Sequence, residues 1–444
     1  MVRATSVELD QILEMRYYGL DSEGIGGRIR DRLEDFIVHE ISIDGIKATS
    51  SCDEIPEGAG EYTWVVLEKR GIDSVSAVQK IRKFTGVRRN QIGIAGLKDT
   101  SAVTYQFVSI MGVVSEELLE SFNTLNSRIK LYCPVSRPFA LRPGLLFGNE
   151  FIVHVRDSQV DRLDKLVEEL NSIGGVPNYV GYQRFGSIRP ITHIVGKHII
   201  LGNFKEAVEE LLLRTFPEES EVAKKAREYL ASTGDYKGTL EIFPKSMKSE
   251  RAVIAHLAQK PNDYVGALRS ISSYVRKLFV GAYQAYLFNK LLSRRIEEGL
   301  SWMLPSPGDY VGILPSSSHI EHVSVLVANE ANIDKLRRII IEGYAHLLLP
   351  IFGYNTQLSK GREGEIEKNI LREEGIDISR FYVKSIPEAS SAGTFRPACL
   401  TPINLDIQKD KQDVTLSFIL RKGMYATTLL REFIKPQNPV KQGF

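Results

Sequence analysis

Polar and aromatic residues are concentrated in four short segments of this sequence, and each segment brings together side chains that could act on a substrate. The segments are LEDFIVHE at 33–40, AGLKDTSAVTYQ at 95–106, NYVGYQRFG at 178–186 and RKGMYATTLLRE at 421–432. An ionised carboxylate such as that of Asp99 can attack a sugar or an electron-poor ring and form a covalent intermediate. Taken alone, a glycine-rich turn with an aspartate is typical of ordinary loops, because the aspartate bonds to its own backbone.

Motifs for several other kinds of chemistry are missing. The sequence has no P-loop, no GxGxxG that follows a strand, no HExxH and no GxSxG. These absences argue against a reaction that depends on ATP or NAD and against a serine hydrolase. The histidine pairs His193/His198 and His319/His322 lack clustered partner ligands, so we expect no metal site.

Length, hydropathy and cysteine content indicate the class of protein. A chain of 444 residues with 43% hydrophobic residues is expected to form two or three folded units. No apolar run approaches the roughly 20 residues that span a bilayer, and the first residues do not resemble a signal peptide. We therefore expect a soluble, cytoplasmic protein. The three cysteines, Cys52, Cys133 and Cys399, are odd in number and far apart, which argues against a disulfide framework and against a CxxC zinc site.

The first hundred residues predict strands and one helix around Asp99. The segments EDFIVHEISI and EYTWVVLEKRG alternate β-branched and aromatic residues, as strands do. Ser74 is then predicted to cap a helix that ends at Gly86. Two short strands follow at 91–95 and 103–110, which places Asp99 in the turn between them.

The rest of the chain predicts a discontinuous domain. An amphipathic helix is expected from Val160 to Asn171, and the region from about 189 to 395 is rich in helix signals. A strand at 414–420, a turn and the short helix YATTLLREFIK then restore the strand-rich character of the beginning. We expect a mixed α/β fold in which both chain ends share one sheet and the middle is an insertion.

The net charge of +2 predicts no general attraction to polyanions, but one segment is locally basic. No acidic residue lies between Asp73 and Asp99. The basic residues of this interval are Lys80, Arg82, Lys83, Arg88, Arg89 and Lys98. Charge alone leaves two interpretations open, a solvated helix face and a phosphate-binding surface.

Taken together, in this order and spacing, the four segments resemble the TruD family of tRNA pseudouridine synthases. The family's nucleophile motif is matched by Gly96, Lys98, Asp99, Ala102, Val103, Thr104 and Gln106, and its second motif by Asn178, Tyr179, Gly181, Gln183, Arg184, Phe185 and Gly186. The amino-terminal signature is matched by Glu34, Asp35, Phe36 and Val38, and the closing motif by Gly423, Tyr425, Ala426, Thr427, Arg431 and Glu432. GNEF from Gly148 and AYQAYLFN from Ala282 match further family segments, so the resemblance covers almost the whole chain.

The resemblance implies an architecture and an activity. It implies a pseudouridine-synthase-like catalytic domain with a central antiparallel sheet, built from residues 1–189 and 396–444, and an inserted TRUD-type α/β domain at 190–395. The implied enzyme is an isomerase that converts uridine 13 in the D arm of tRNA to pseudouridine. It implies tRNA as the partner, and no cofactor, metal, nucleotide cofactor or membrane.

The same resemblance implies roles for individual residues. Asp99 is the nucleophile, which could attack C1′ of the ribose, add to C6 of the uracil or take the 2′ proton to give a glycal. Phe36, Asn178 and Tyr425 are expected to hold a flipped-out uridine. Because neighbouring side chains of an extended segment point to opposite faces, Arg30 or Arg184 is a better partner for the Asp99 carboxylate than Lys98.

Phosphate contacts are expected from Lys80, Lys83, Arg88 and Arg89, together with Arg184. Two rival interpretations remain. A non-catalytic RNA-binding protein or RNA chaperone could share the fold, and a carboxylate glycosidase would release free uracil from a nucleoside.

Overall fold

The structure is a computed structural model that describes residues 2–314 and 324–444. Its strands are β1 (Arg3–Ala4), β2 (Tyr17–Tyr18), β3 (Phe36–Ile41), β4 (Tyr62–Arg70), β5 (Ile92–Ile94), β6 (Val103–Met111), β7 (Ile129–Arg137), β8 (Gly148–Val155), β9 (Val176–Pro177), β10 (Tyr310–Ile313), β11 (Ser324–Val327), β12 (Ala345–Ile351), β13 (Thr394–Pro397), β14 (Cys399–Leu400), β15 (Ile403–Asp410) and β16 (Asp413–Arg421). Its α-helices are α1 (Glu8–Ile12), α2 (Ser74–Thr85), α3 (Glu116–Leu125), α4 (Leu163–Ile173), α5 (Thr192–Leu201), α6 (Phe204–Leu213), α7 (Glu221–Thr233), α8 (Tyr236–Ile242), α9 (Lys248–Gln259), α10 (Tyr264–Arg269), α11 (Ser273–Glu297), α12 (Ile333–Ile341), α13 (Gly361–Glu373) and α14 (Ala426–Ile434). Within the described ranges, no helix has both the length and the apolar character that crossing a membrane requires.

The larger sheet combines strands from both ends of the chain. Its order is β15-β16-β8-β3-β6-β4-β7, and β5 pairs with the end of β6. All pairings are antiparallel except that of β3 with β6. The mixed α/β fold with a central, mainly antiparallel sheet is therefore confirmed.

Side chains of two neighbouring strands form the floor of the site described below. Phe36 and Val38 are two residues apart on β3, and Asn149 and Phe151 are two residues apart on β8. Strand β8 pairs with β3 in antiparallel register. Because residues two apart in a strand point to the same side, each pair shares one face of the sheet. The turn between β5 and β6, which contains Asp99, lies beside this face.

The middle of the chain forms helices and a second sheet. Helices α5 to α13 lie between residues 192 and 373, and the second sheet is antiparallel with the order β11-β10-β12-β13. Strand β13 ends at Pro397, so this sheet continues two residues past the boundary proposed at 395/396. One hydrophobic cluster includes Phe151 and Phe418 of the larger sheet and Phe288 of α11. The inserted region is thus packed on the larger sheet by a shared core, and its division into domains stays a prediction.

The first turn of α2 differs from the prediction. Asp73, rather than Ser74, caps the helix, since its carboxylate accepts a hydrogen bond of 2.8 Å from the Ser76 amide. The Ser74 hydroxyl is buried; it accepts from the Lys98 amide at 3.0 Å and donates to Gln106 at 2.9 Å. Both residue types are good caps, and only contacts with distant residues decide between them.

The expectation about the cysteines is wrong for two of the three. A disulfide joins Cys52 to Cys133, which are 81 residues apart in the sequence, while Cys399 is free and buried. Cys133 lies on β7, and the segment after β3 packs beside that strand through Ala48 and Ile55. The sheet therefore brings together two cysteines whose spacing in the sequence suggested no pairing.

Candidate active site

A cavity of about 540 Å³ lies over the face of the larger sheet formed by β3 and β8. Residues from four separate stretches of the chain and from Gln183 surround it. The lining residues are Arg30, Phe36, Val38, Gly96, Leu97, Lys98, Asp99, Thr100, Ser101, Leu146, Asn149, Phe151, Gln183, Lys422, Gly423, Met424, Tyr425, Ala426 and Thr427. All four segments that the sequence singled out contribute to the lining: two supply the continuous stretches 96–101 and 422–427, one supplies Phe36 and Val38, and one supplies Gln183.

Asp99 and Arg30 form an ion pair in this cavity. Nη2 of Arg30 lies 3.6 Å from Oδ1 of Asp99, and the two side chains are 7% and 28% exposed. Burial lowers the pKa of Arg30, while the negative charge of Asp99 acts in the opposite direction. Arg30 also donates to the Gly443 carbonyl at 2.8 Å. Of the two arginines considered as partners of the Asp99 carboxylate, Arg30 therefore occupies that position.

Gln183 connects the two members of this ion pair. With its amide oriented to satisfy both neighbours, the nitrogen donates to Oδ1 of Asp99 at 3.1 Å and the oxygen accepts from Nη2 of Arg30 at 3.3 Å. The carboxylate thus has one charged partner, Arg30, and one neutral hydrogen-bond donor, Gln183.

The turn that carries Asp99 is held by side chains that point away from the carboxylate. The ammonium of Lys98 lies 2.6 Å from both the Glu40 carboxylate and the Asn149 amide oxygen, and the Lys98 side chain is only 5% exposed. The Gln106 amide donates to the Gly96 carbonyl at 3.3 Å. Lys98 therefore anchors the turn to β3 and β8 and leaves the Asp99 carboxylate to Arg30.

Tyr425 is the exposed aromatic residue of the cavity wall. It precedes α14 and is 46% exposed. The Arg396 guanidinium carbon lies 5.2 Å from the centroid of its ring. The cavity therefore combines a carboxylate, a cation and a free ring face, a set that can bind a flat, polar substrate and attack it with an oxygen nucleophile.

Comparison with known proteins identifies the family. The family model for tRNA pseudouridine synthase D (TruD) matches residues 12–433. A relative from Methanosarcina acetivorans, named probable tRNA pseudouridine synthase D, is 36% identical over 96% of this chain and 97% of its own. One of the same name from Methanopyrus kandleri is 38% identical over 85% and 86%. The crystal structure of a Methanosarcina mazei protein of that family covers 97% of this chain and 98% of its own, with 33% identity and a TM-score of 0.77. The chain belongs to the TruD family.

Phe36 lies in the floor of this TruD cavity and is covered by a neighbour. Its side chain is fully buried, its ring centroid is 4.1 Å from the Arg30 guanidinium carbon, and it meets Phe151 edge-to-face at 6.1 Å. In this arrangement the ring supports Arg30. A direct contact between Phe36 and a nucleotide stays a prediction.

Asn178 of the second TruD motif is not among the residues that line the cavity. It is fully buried; its amide nitrogen donates to the Pro397 carbonyl at 2.8 Å and its amide oxygen accepts from Arg396 at 2.9 Å. Arg396 in turn donates to the Gly423 carbonyl at 2.5 Å. The contacts of Asn178 therefore reach the cavity only through Arg396 and the turn before Tyr425, and a direct bond to a nucleotide stays a prediction.

Arg184 also lies outside the cavity lining. Its guanidinium is so close to α11 that a Cβ atom added to Gly281 would meet it at 2.1 Å. Arg184 thus joins the second TruD motif to the inserted region. A contact between Arg184 and RNA phosphate stays a prediction.

The basic residues of the TruD chain between 80 and 89 are on the surface. The four proposed for RNA contact are all exposed, and none forms an ion pair with another residue of the described ranges: Lys80, Lys83, Arg88 and Arg89. Their charges are therefore free to meet phosphates.

Metal ligands do not cluster in the part of the chain that the structure describes. No group of three or more His, Cys, Asp or Glu side chains there is arranged to hold a metal ion. His193 is buried, stacks on Tyr286 at 5.0 Å, and has its pKa lowered by burial to about 4. His319 and His322 lie outside the described residues.

Several residues of the site had no role in the prediction from sequence. Gln183, Glu40 and Asn149 lie inside or beside the matched motifs, so the motifs themselves were the available signal. Lys69 and Arg396 lie in segments for which no chemistry was predicted, and only their contacts in the fold bring them to this site.

Proposed function

We propose that this chain isomerises uridine to pseudouridine in tRNA, with Asp99 as the nucleophile and without a cofactor. The observation that carries the proposal is the position of the Asp99 carboxylate, which lines a cavity and is paired with Arg30 at 3.6 Å. Membership of the TruD family supplies the reaction, and the arrangement of the cavity supports the assignment of the nucleophile.

The chemistry needs a nucleophile and a means of holding the base. The bond between N1 and C1′ breaks, the base turns, and a bond between C5 and C1′ forms. C5 loses its proton and N1 gains one, so atoms and electrons balance with no oxidant, reductant or group donor. The nucleophile in this proposal is the Asp99 carboxylate, which Arg30 and Gln183 contact and hold in place.

The cavity is suited to a single nucleotide that has left its helix. Its volume of about 540 Å³ lies within the range of about 300–1,000 Å³ that small-molecule sites occupy. A uridine stacked in folded RNA cannot reach Asp99, so it must be flipped out. Tyr425, with 46% of its surface exposed, is placed to stack on the base.

The proposed target is uridine 13 in the D arm of tRNA, as the family resemblance implies. Lys80, Lys83, Arg88 and Arg89 would bind phosphates around the target nucleotide. A tRNA substrate would place the activity in the cytoplasm.

The test is conversion of an unmodified tRNA transcript by the purified protein. Pseudouridine is scored by mass spectrometry, and loss of the C5 hydrogen by tritium release from 5-tritiated uridine. We expect wild type to convert uridine 13, a transcript with cytidine at position 13 to give no product, and Asp99→Asn to bind tRNA without converting it. Asp161→Asn, which changes an exposed aspartate elsewhere, serves as the control and should retain full activity.

Three results would contradict the proposal. Binding without conversion by wild type would favour a non-catalytic RNA-binding protein or RNA chaperone. Release of free uracil would indicate a glycosidase. Conversion by Asp99→Asn at the wild-type rate would remove Asp99 from the chemistry.

A further inference from the structure

Lys69 is a fully buried lysine directly behind the turn that carries Asp99. It lies one residue before the end of β4, and its surface is 0% exposed. Its ammonium donates a hydrogen bond to the backbone carbonyl of Asp99. Among the described residues, no carboxylate lies within 4.0 Å of this ammonium. Asp99 is therefore held at two points, with its carboxylate beside Arg30 and its carbonyl on Lys69.

A buried ammonium without a paired carboxylate is costly in free energy, because it loses its hydration. Burial lowers the pKa of Lys69 to about 8, Asp99 and Asp73 act in the opposite direction, and the charge of Lys98 lowers it further. A leucine or methionine would fill the same space without this cost. The hydrogen bond of this ammonium goes to the Asp99 turn, so the role of the charge should be sought in that turn.

We infer that Lys69 is a positioning residue, whose ammonium fixes the backbone of Asp99 and so directs the carboxylate into the cavity. This inference rests on the proposed function. In the pairing of β4 with β6, Lys69 lies opposite Thr104, and Thr104 follows Asp99 by five residues. A rigid strand therefore supports the bond, as a nucleophile that must be held to within a fraction of an ångström requires.

Because Lys69 is buried, a role in positioning Asp99 can be distinguished from a role in RNA binding. With no exposed surface, its side chain cannot touch a phosphate. Loss of the ammonium should therefore lower the rate of the chemical step and leave tRNA affinity unchanged.

The rate of the chemical step should also fall as the pH rises through about 8, because the neutral amine no longer places a positive charge behind Asp99. The charged groups that face Lys69 are Asp99, Asp73 and Lys98.

The test compares Lys69→Gln and Lys69→Arg with wild type. Single-turnover conversion of tRNA is measured from pH 6.5 to 9.5, and the Kd for tRNA is measured at each pH. We expect Lys69→Gln to lower the rate about 100-fold with an unchanged Kd, and to abolish the loss of rate near pH 8. Lys69→Arg should retain more activity and show no such loss, because arginine stays charged throughout this range.

Lys130 offers a matched control on the neighbouring strand. Its ammonium donates to the Asn123 carbonyl at 2.5 Å, a bond of the same kind as that of Lys69 but away from the cavity. Lys130→Gln should have the rate and the pH profile of wild type. Hydrogen exchange over residues 95–102 adds a readout that needs no turnover, and it should rise in Lys69→Gln but not in Lys130→Gln.

The outcomes distinguish this inference from the proposed function. If wild type makes no pseudouridine, the proposed function fails, and hydrogen exchange still decides whether Lys69 holds the turn. If wild type is active and Lys69→Gln is within twofold of it, or loses rate and affinity together, the inference is wrong. Should Lys69→Gln not fold, Lys69→Met is measured in its place, and a folded Lys69→Met with the wild-type rate and wild-type hydrogen exchange over residues 95–102 would overturn it.

Discussion

The guanidinium carbon of Arg30 lies 4.1 Å from the centroid of the Phe36 ring. The ring is fully buried and provides a flat support on which the cation can rest. The same guanidinium reaches Asp99 at 3.6 Å. Arg30 has a backbone φ of 63°, in the left-handed region that few residues other than glycine adopt. Phe36 of the amino-terminal signature thus supports the Arg30 cation beside the Asp99 turn.

Arg30→Ala should lower the chemical rate by about 100-fold and change tRNA affinity little. The reason is that the Asp99 carboxylate loses the cation that contacts and orients it inside the cavity. Single-turnover rates and tRNA Kd values check this separation. Arg184→Ala is the comparison, since Arg184 lies against Gly281 and outside the cavity lining. Equal losses of rate and affinity in Arg30→Ala would contradict the assignment.

Local patterns in the sequence predicted the parts of the site that depend on neighbouring residues. The turn with Asp99 lies between β5 and β6, and Tyr425 directly precedes α14. In both cases the turn or helix signal lies within a few residues of the functional side chain. Gly174 ends α4 in the left-handed conformation, as expected of a glycine after an amphipathic helix.

These local patterns could not predict contacts between residues that are distant in the sequence. The choice of Arg30 over Arg184 as partner of Asp99 depends on how β3 and the second motif meet. Asn178 forms its bonds with Arg396, 218 residues away. The bond from Lys69 to Asp99 follows from the pairing of β4 with β6. Each of these contacts depends on which distant segments meet in the fold, which hydrophobic periodicity does not determine.

Replacement of Tyr425 by alanine should lower kcat/KM by about 10- to 100-fold, the range expected for the loss of one base-stacking ring. Tyr425→Phe keeps the ring and should stay within a few-fold of wild type. Steady-state kinetics with the tRNA transcript measure both variants. If Tyr425→Phe were as impaired as Tyr425→Ala, the hydroxyl rather than the ring face would be the important group.

Removal of the four exposed positive charges at Lys80, Lys83, Arg88 and Arg89 should weaken tRNA binding and reduce its salt dependence. If all four contact phosphates, the slope of log K against log salt should decrease by about 3. The rate at saturating tRNA should be nearly unchanged, because none of the four lines the cavity. Lys411→Asn, at the turn between β15 and β16 on the opposite edge of the sheet, is the control for a general charge effect. An unchanged salt slope in the quadruple variant would show that the RNA lies elsewhere.

Stability should depend on pH through a buried acidic cluster in the inserted region. Arg295 pairs with Asp309 at 2.7 Å and with Glu363 at 2.5 Å, while Glu367 accepts from the Ser359 amide at 2.7 Å. Burial raises the pKa of Glu363 to about 7 and that of Glu367 to about 8. Between the ordinary glutamate pKa and these values, the folded chain holds protons that the unfolded chain has released. Stability from this cluster is therefore fully present below about pH 4.5 and is lost progressively as the pH rises to between 7 and 8.

Glu367→Gln should remove the part of this pH dependence that Glu367 causes. The amide oxygen can still accept from Ser359, and it does not ionise. The variant should gain stability relative to wild type as the pH rises from 5 to 9, by on the order of 4 kcal/mol. Denaturant unfolding at each pH measures the difference. Glu365→Gln changes an exposed position of the same helix and should differ from wild type by a constant amount. A constant difference for Glu367→Gln as well would mean that Glu367 ionises at its ordinary pKa in the folded protein.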